Sequence, residues 1–264
     1  MTAVGDLRRA LSSAVTVEAR IVAAGSAGGS ERLMAEAAAE GLLLNAYTAA
    51  EHFVREFFFE LIDGISLSSL FPSPLSGLDA DLNRSLVYLA TDKLDWMPPG
   101  STVEPRANVL FPGGHPFLRL RWRSSFARRL NDAKIVRDRI SHSGEKAESA
   151  YWSKVAEFQQ AYKRPGAWLI SRSTEFSAPT SNLKVMINTL ESMAVALSEN
   201  SPDLDILLGQ SDSVGEGTKT IPGTFNCSTC SSAGSPAVGT PLGRCRSSIC
   251  VHSQDKTVWK YFAV

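Results

Sequence analysis

Apolar residues recur at helical spacing along most of the chain up to about residue 205. Leu7, Leu11, Val15, Ile21 and Val22 predict a helix over 4–24, broken by the glycine-rich run from Gly25 to Gly29. Ser30 is placed to cap a second, long helix from about Glu31 to Ile62. That helix carries Leu33, Ala37, Leu43, Leu44, Tyr47, Ala50, Val54, Phe57, Phe58 and Leu61, a stripe broad enough for a bundle interior. Asp63-Gly64 should end it, because glycine takes the left-handed conformation without a Cβ clash.

Residues 65–117 read differently. Pro72, Pro74, Pro98, Pro99, Pro105, Pro112 and Pro116 forbid long helices over much of this stretch, leaving room for one from about Leu78 to Leu94. The stretch reads as an irregular insertion on the bundle. Helical patterning returns from about Leu118 to Ser141, then over 145–163, with Gly144 as a stop between them. A turn region around Pro165-Gly166 and Pro179 precedes a last helix, about Ser181 to Leu197. Ser, Gly, Asp and Pro then dominate 198–222, which suggests a linker, narrowed to 206–222 if the bundle runs to 205. Residues 223–264 change character, with many turn formers and a strand-like run from Thr257 to Phe262. The expected fold is therefore an all-α, up-and-down bundle over 1–205 followed by a small β module.

Composition adds limits. Lys+Arg and Asp+Glu are both 27, so any basic surface must be local. The apolar stretches near Leu42 and Phe57 are broken by Glu40, Glu51, Glu56 and Glu60, too often for a membrane span. Arg8-Arg9 followed by Ala10-Leu11 hints at an export signal, but Glu18 and Arg20 interrupt its would-be apolar region. All four cysteines fall near one end, at Cys227, Cys230, Cys245 and Cys250. A secreted disulfide scaffold would spread them through the fold, so the clustering points to a metal site in a reducing compartment, the cytoplasm.

Cys227-Ser-Thr-Cys230 has the CxxC spacing that lets two thiolates on one tight turn reach a tetrahedral ion. Cys245 and Cys250 are spaced more loosely, and His252 could replace one thiolate. The expectation is a divergent zinc ribbon holding one structural zinc, with free thiols or a redox pair as the alternative. Arg244, Arg246, Lys256 and Lys260 would let it touch nucleic acid or a partner.

The segment Arg137-Asp138-Arg139-Ile140-Ser141-His142 carries the candidate chemistry. With Phe126 at zero and ~100° per residue, Arg137 falls at about 20°, amid Leu130, Ala133 and Ile140. A guanidinium there needs a carboxylate, a cleft or a subunit interface. Asp138 and His142 are i and i+4 neighbours, so Asp138 could orient the imidazole. Histidine supplies a proton acceptor or donor near neutral pH and arginine stabilises phosphate oxygens. Together they suit cleavage of RNA by its own 2′-hydroxyl, with no catalytic metal. The bland alternative is a helix C-cap with a structural arginine.

Seven arginines and Lys134 lie between Arg119 and Arg139, against Asp132 and Asp138 only. Arg121, Arg128, Lys134 and Arg139 could line a phosphate-binding surface, or simply form a solvated helix face. On the second helix, Glu51 or His52 could face the motif across the bundle.

Arg137-Asp138, three residues, His142, then a small residue and Gly144 resembles the signature of HEPN-domain proteins, the RiboL-PSP-like and MAE-like ribonuclease families among them. The run from Gly41 through Ile62 also looks like the early HEPN helix, whose aromatic-and-acid pattern packs beneath the motif. The resemblance spans roughly 30–200, with an unusual insertion near 65–117. It implies a homodimer with both Arg–His pairs facing one cleft, metal-independent endoribonuclease activity on RNA, and a toxin–antitoxin or antiviral setting with a possible antitoxin or defence-system partner. Some relatives are inactive RNA-binding or regulatory modules, the alternative function here. A DNA-binding regulator acting through the ribbon is a third reading.

Overall fold

The computed structural model describes residues 3–66, 95–111, 115–120, 125–157, 163–174 and 179–198, isolated positions between 75 and 87, and strand backbones at 213–215, 224–227, 233–234 and 258–262. The described chain is mostly helical. Helices are α1 (Ala3–Gly25), α2 (Gly29–Ile62), α3 (Pro99–Thr102), α4 (Glu104–Leu110), α5 (Ser125–Ser141), α6 (Glu145–Glu157), α7 (Pro165–Leu169) and α8 (Asn182–Ser198), with a 3-10 turn at Pro116–Leu120 before α5. No described helix is long and apolar enough to cross a membrane. The chain forms two compact units, one of residues 1–56 and 128–191 and one of residues 57–127 and 192–264.

The first unit owes its core to the stripes legible in the sequence. Leu7, Leu11, Ala14 and Ile21 are buried on α1, and Ala39, Leu43, Ala46, Tyr47, Ala50 and Phe53 on α2. Glu18, which interrupts the α1 stripe, is itself buried. Its carboxylate accepts a hydrogen bond from Ser181 Oγ, which in turn accepts the Lys184 N–H in the first turn of α8. A helix N-terminus leaves backbone donors unmet, and this Ser–Glu relay meets one of them beside a negative charge.

Two further ties hold α7, a short helix in the stretch expected as a turn. Glu40 accepts the Gly166 N–H at 2.8 Å, and Glu36 pairs with Arg164 at 2.7 Å. Gly166 lies so close to α2 that a Cβ there would stand 2.3 Å from the Glu36 carbonyl oxygen. The close approach seats Trp168, wholly buried, edge-on to Tyr151 at 6.4 Å between ring centroids.

α5 buries Arg129, Leu130, Asp132, Ala133 and Val136. This face differs from the one projected from Phe126. Its centre runs through Ala133 and Val136, and Ile140 is only half-buried. Arg137 therefore stands at the rim of the stripe, with 22% of its side chain exposed. The difference arises because Asp132 pairs with Lys154, so polar residues occupy part of the buried face.

In the second unit, Phe57, Phe58 and Phe59 pack with Trp96 and Phe117 at ring separations of 5.7 to 6.2 Å. Val103, Ala107 and Phe111 are buried as well, so the proline-rich stretch supplies core residues. Gly64, at φ +71°, ends α2 in the left-handed conformation expected of it. The helix expected over Leu78 to Leu94 lies largely outside the described residues. Near the C-terminus, β1 (Ser213–Gly215), β2 (Thr224–Cys227), β3 (Ala233–Gly234) and β4 (Val258–Phe262) form an antiparallel sheet in the order β1-β4-β2-β3.

Candidate functional site

The last two turns of α5 carry Lys134, Arg137 and Asp138 at i, i+3 and i+4, one patch of helix surface. The Asp138 carboxylate receives the Lys134 ammonium at 3.1 Å and Arg137 Nη1 at 2.9 Å. Arg137 Nη2 stands 3.5 Å from Glu51 Oε2 on α2. Beneath the guanidinium lies the Tyr47 ring, its centroid 4.9 Å from the arginine Cζ. The half-buried charge that the sequence left needing an explanation is thus matched by two carboxylates and an aromatic face.

Of the two α2 residues left open by the sequence, Glu51 meets the motif. His52 is exposed and stands 2.8 Å from Arg55 Nη2 through its Nδ1. Tyr47 was legible as a core aromatic, and its place beneath Arg137 was not. The Tyr47–Glu51 spacing of four, on one helix face, is the signal that could have found the pair.

α5 ends at Ser141, and the His142 N–H still donates to the Asp138 carbonyl at 2.8 Å. His142 therefore follows the last helical turn and is exposed. Among the described residues its imidazole has no hydrogen-bond or ion-pair partner. The i, i+4 relation between Asp138 and His142 holds in the backbone, while the Asp138 carboxylate is engaged by Lys134 and Arg137.

The expected basic surface is largely neutralised where it is described. Arg128 pairs with Glu157 at 3.3 Å, Arg139 with Glu148 at 3.8 Å, and Lys134 with Asp138. Arg121 lies outside the described residues. Lys154 hydrogen-bonds Glu157 at 2.8 Å and holds its carboxyl below the usual glutamate value, with Arg128 adding to the effect. A small cavity beside α5 is lined by Arg129, Asp132, Trp168, Ser173, Asn182, Val185 and Met186. It has room for about one water, far too little for a nucleotide.

Of the four cysteines, Cys227 ends strand β2, with its backbone opposite Trp259 on β4. Cys230, Cys245, Cys250 and His252 lie outside the described residues. No family model, no curated protein and no solved structure matches the chain.

Proposed function

We propose that the chain is a metal-independent endoribonuclease of the HEPN kind, working as a homodimer in the cytoplasm. One observation carries this reading. Arg137 is oriented by Tyr47 and Asp138, with Glu51 at its Nη2, five residues before an exposed His142 that has no side-chain partner among the described residues. A fixed cation and an accessible imidazole, brought to one phosphodiester, are what 2′-hydroxyl attack requires.

In the proposed reaction, His142 takes the 2′-hydroxyl proton as that oxygen bonds to phosphorus. The Arg137 guanidinium stabilises the negative charge on the phosphorane oxygens. The bond to the 5′-oxygen then breaks, and that oxygen leaves with a proton from a second acid. The products are a 2′,3′-cyclic phosphate and a 5′-hydroxyl end. At helical spacing, two residues five apart such as Arg137 and His142 diverge by roughly 140°. A second copy of the chain would bring an Arg137 and a His142 to one cleft and supply the second acid. Cys227, Cys230, Cys245 and Cys250 would hold a structural zinc, for which four thiolates are a complete donor set. That ion would order the C-terminal module, whose Arg244, Arg246, Lys256 and Lys260 could deliver RNA. The biological setting proposed is a toxin or antiviral effector with a partner protein.

A second reading is favoured by the carboxylates that meet both Arg137 Nη atoms. In it Arg137 ties α5 to α2, and the protein binds RNA or a partner without turnover. The deciding experiment incubates purified protein with total RNA in excess chelator and analyses the ends formed. The nuclease reading expects cyclic phosphate ends, and no cleavage of an oligonucleotide lacking every 2′-hydroxyl. The binding reading expects retention of RNA and no new ends.

A further inference from the structure

We propose that Glu51 is the exchangeable ligand of Arg137, a carboxylate that occupies the anion site until a phosphodiester displaces it. The proposal rests on the reading of Arg137 as a phosphate-binding residue. It starts from an inequality between the two carboxylates. Asp138 lies 2.9 Å from Arg137 Nη1 in a hydrogen bond and is held by Lys134 as well. Glu51 stands 3.5 Å from Nη2, as an ion pair without a hydrogen bond. Among the described residues, Arg137 is the only charged partner of Glu51.

The surroundings decide where an anion can enter. Tyr47, buried on α2, covers one face of the guanidinium. Asp138, on the same helix as Arg137, fills the Nη1 edge. Of the two Nη groups, Nη2 is the one held by the looser ligand. Glu51 keeps 28% of its side chain exposed, so it can turn to solvent with little desolvation cost. A phosphate oxygen arriving at Nη2 makes the stronger, charge-assisted bond. Before exchange, Lys134, Arg137, Asp138 and Glu51 sum to zero charge, so the patch attracts no anion strongly. After exchange, the phosphate replaces Glu51 in that balance. The device favours a phosphodiester positioned by the rest of an RNA chain over small free anions.

The test uses the full chain as wild type, Glu51→Gln, Glu51→Asp, Arg137→Ala and Glu51→Gln/Arg137→Ala, with melting temperatures as a check on folding. The probes are an uncleavable 2′-O-methyl oligoribonucleotide at fixed ionic strength, and inorganic phosphate followed by arginine side-chain NMR shifts. Removing the competing charge should tighten oligonucleotide binding about three- to tenfold in Glu51→Gln. Glu51→Asp, too short to reach Nη2, should move the same way, and the gain should vanish in the double variant. Equal or weaker binding by both folded Glu51 variants, with Arg137→Ala still weakening binding, overturns the exchange and leaves the RNA reading standing. Oligonucleotide binding indifferent to Arg137, with a phosphate shift at Arg137 that is larger in Glu51→Gln, supports the exchange and overturns the RNA reading. Neither probe depending on Arg137 overturns both.

Discussion

Lys154 and Asp132 form an ion pair at 2.9 Å in which each side chain keeps only 4% of its surface exposed. The pair joins α6 to the buried face of α5, the helix that carries Arg137. Taking two charges out of water is costly, and removing one partner leaves the other uncompensated. Lys154→Met should therefore destabilise the fold by about 3–5 kcal/mol in urea unfolding. Asp132→Asn should cost less, because Lys154 retains Glu157 at 2.8 Å.

The same lysine sets a pH dependence. Glu157 has its carboxyl lowered from the ordinary 4.5, chiefly by the Lys154 hydrogen bond. Its ionised form is favoured by the fold, so its contribution is complete above about pH 4.5 and is lost as pH falls through the folded value. Glu157→Gln should flatten the acid limb of the stability curve. Glu191 behaves oppositely, because burial raises its carboxyl against the partial offset of Arg8. Stability is undiminished by Glu191 below 4.5 and falls as pH rises through the raised value. Glu191→Gln should thus melt higher than wild type at pH 7 and together with it near pH 4.

Gly166 tests the seating of α7 against α2. An alanine Cβ would meet the Glu36 carbonyl oxygen at 2.3 Å, and that oxygen belongs to a helix backbone that cannot turn aside. Gly166→Ala should cost about 1–3 kcal/mol by overpacking, measured by urea unfolding.

The helices were largely legible, because their apolar stripes follow the helical period over many turns. α1, expected over 4–24, spans Ala3–Gly25, and α8, expected over Ser181 to Leu197, spans Asn182–Ser198. α2 starts at Gly29, placing Ser30 inside the helix and not at its cap. α7, with five residues, is too short to show a period. Glu18 looked like an interruption of α1 and is a buried partner of Ser181. Such pairings join distant residues and leave no local trace. The Arg137 segment was legible as a candidate site, and the residues packed around Arg137 were not. Periodicity placed Arg137 amid an apolar stripe, while pairing between helices set it at the rim against Glu51 and Tyr47.

Removing metal should separate the proposed roles. A chelator strong enough to strip zinc should release about one ion per chain and unfold the 223–264 module, since a segment this small depends on its ion. RNA cleavage should persist at the helical site. Loss of cleavage of even a short oligonucleotide in proportion to zinc would move the chemistry to the cysteine module. Metal analysis and a cleavage assay on one sample read both quantities.

The central claim concerns the end of α5, where an oriented Arg137 precedes an exposed His142. The most direct measurement is the single-turnover rate of RNA cleavage, in excess chelator, by wild type, His142→Ala and Arg137→Ala matched for melting temperature. The account predicts a loss of about 10²–10⁴-fold in His142→Ala, and at least a hundredfold in Arg137→Ala from lost phosphorane stabilisation. Cleavage by both variants at the wild-type rate would contradict it.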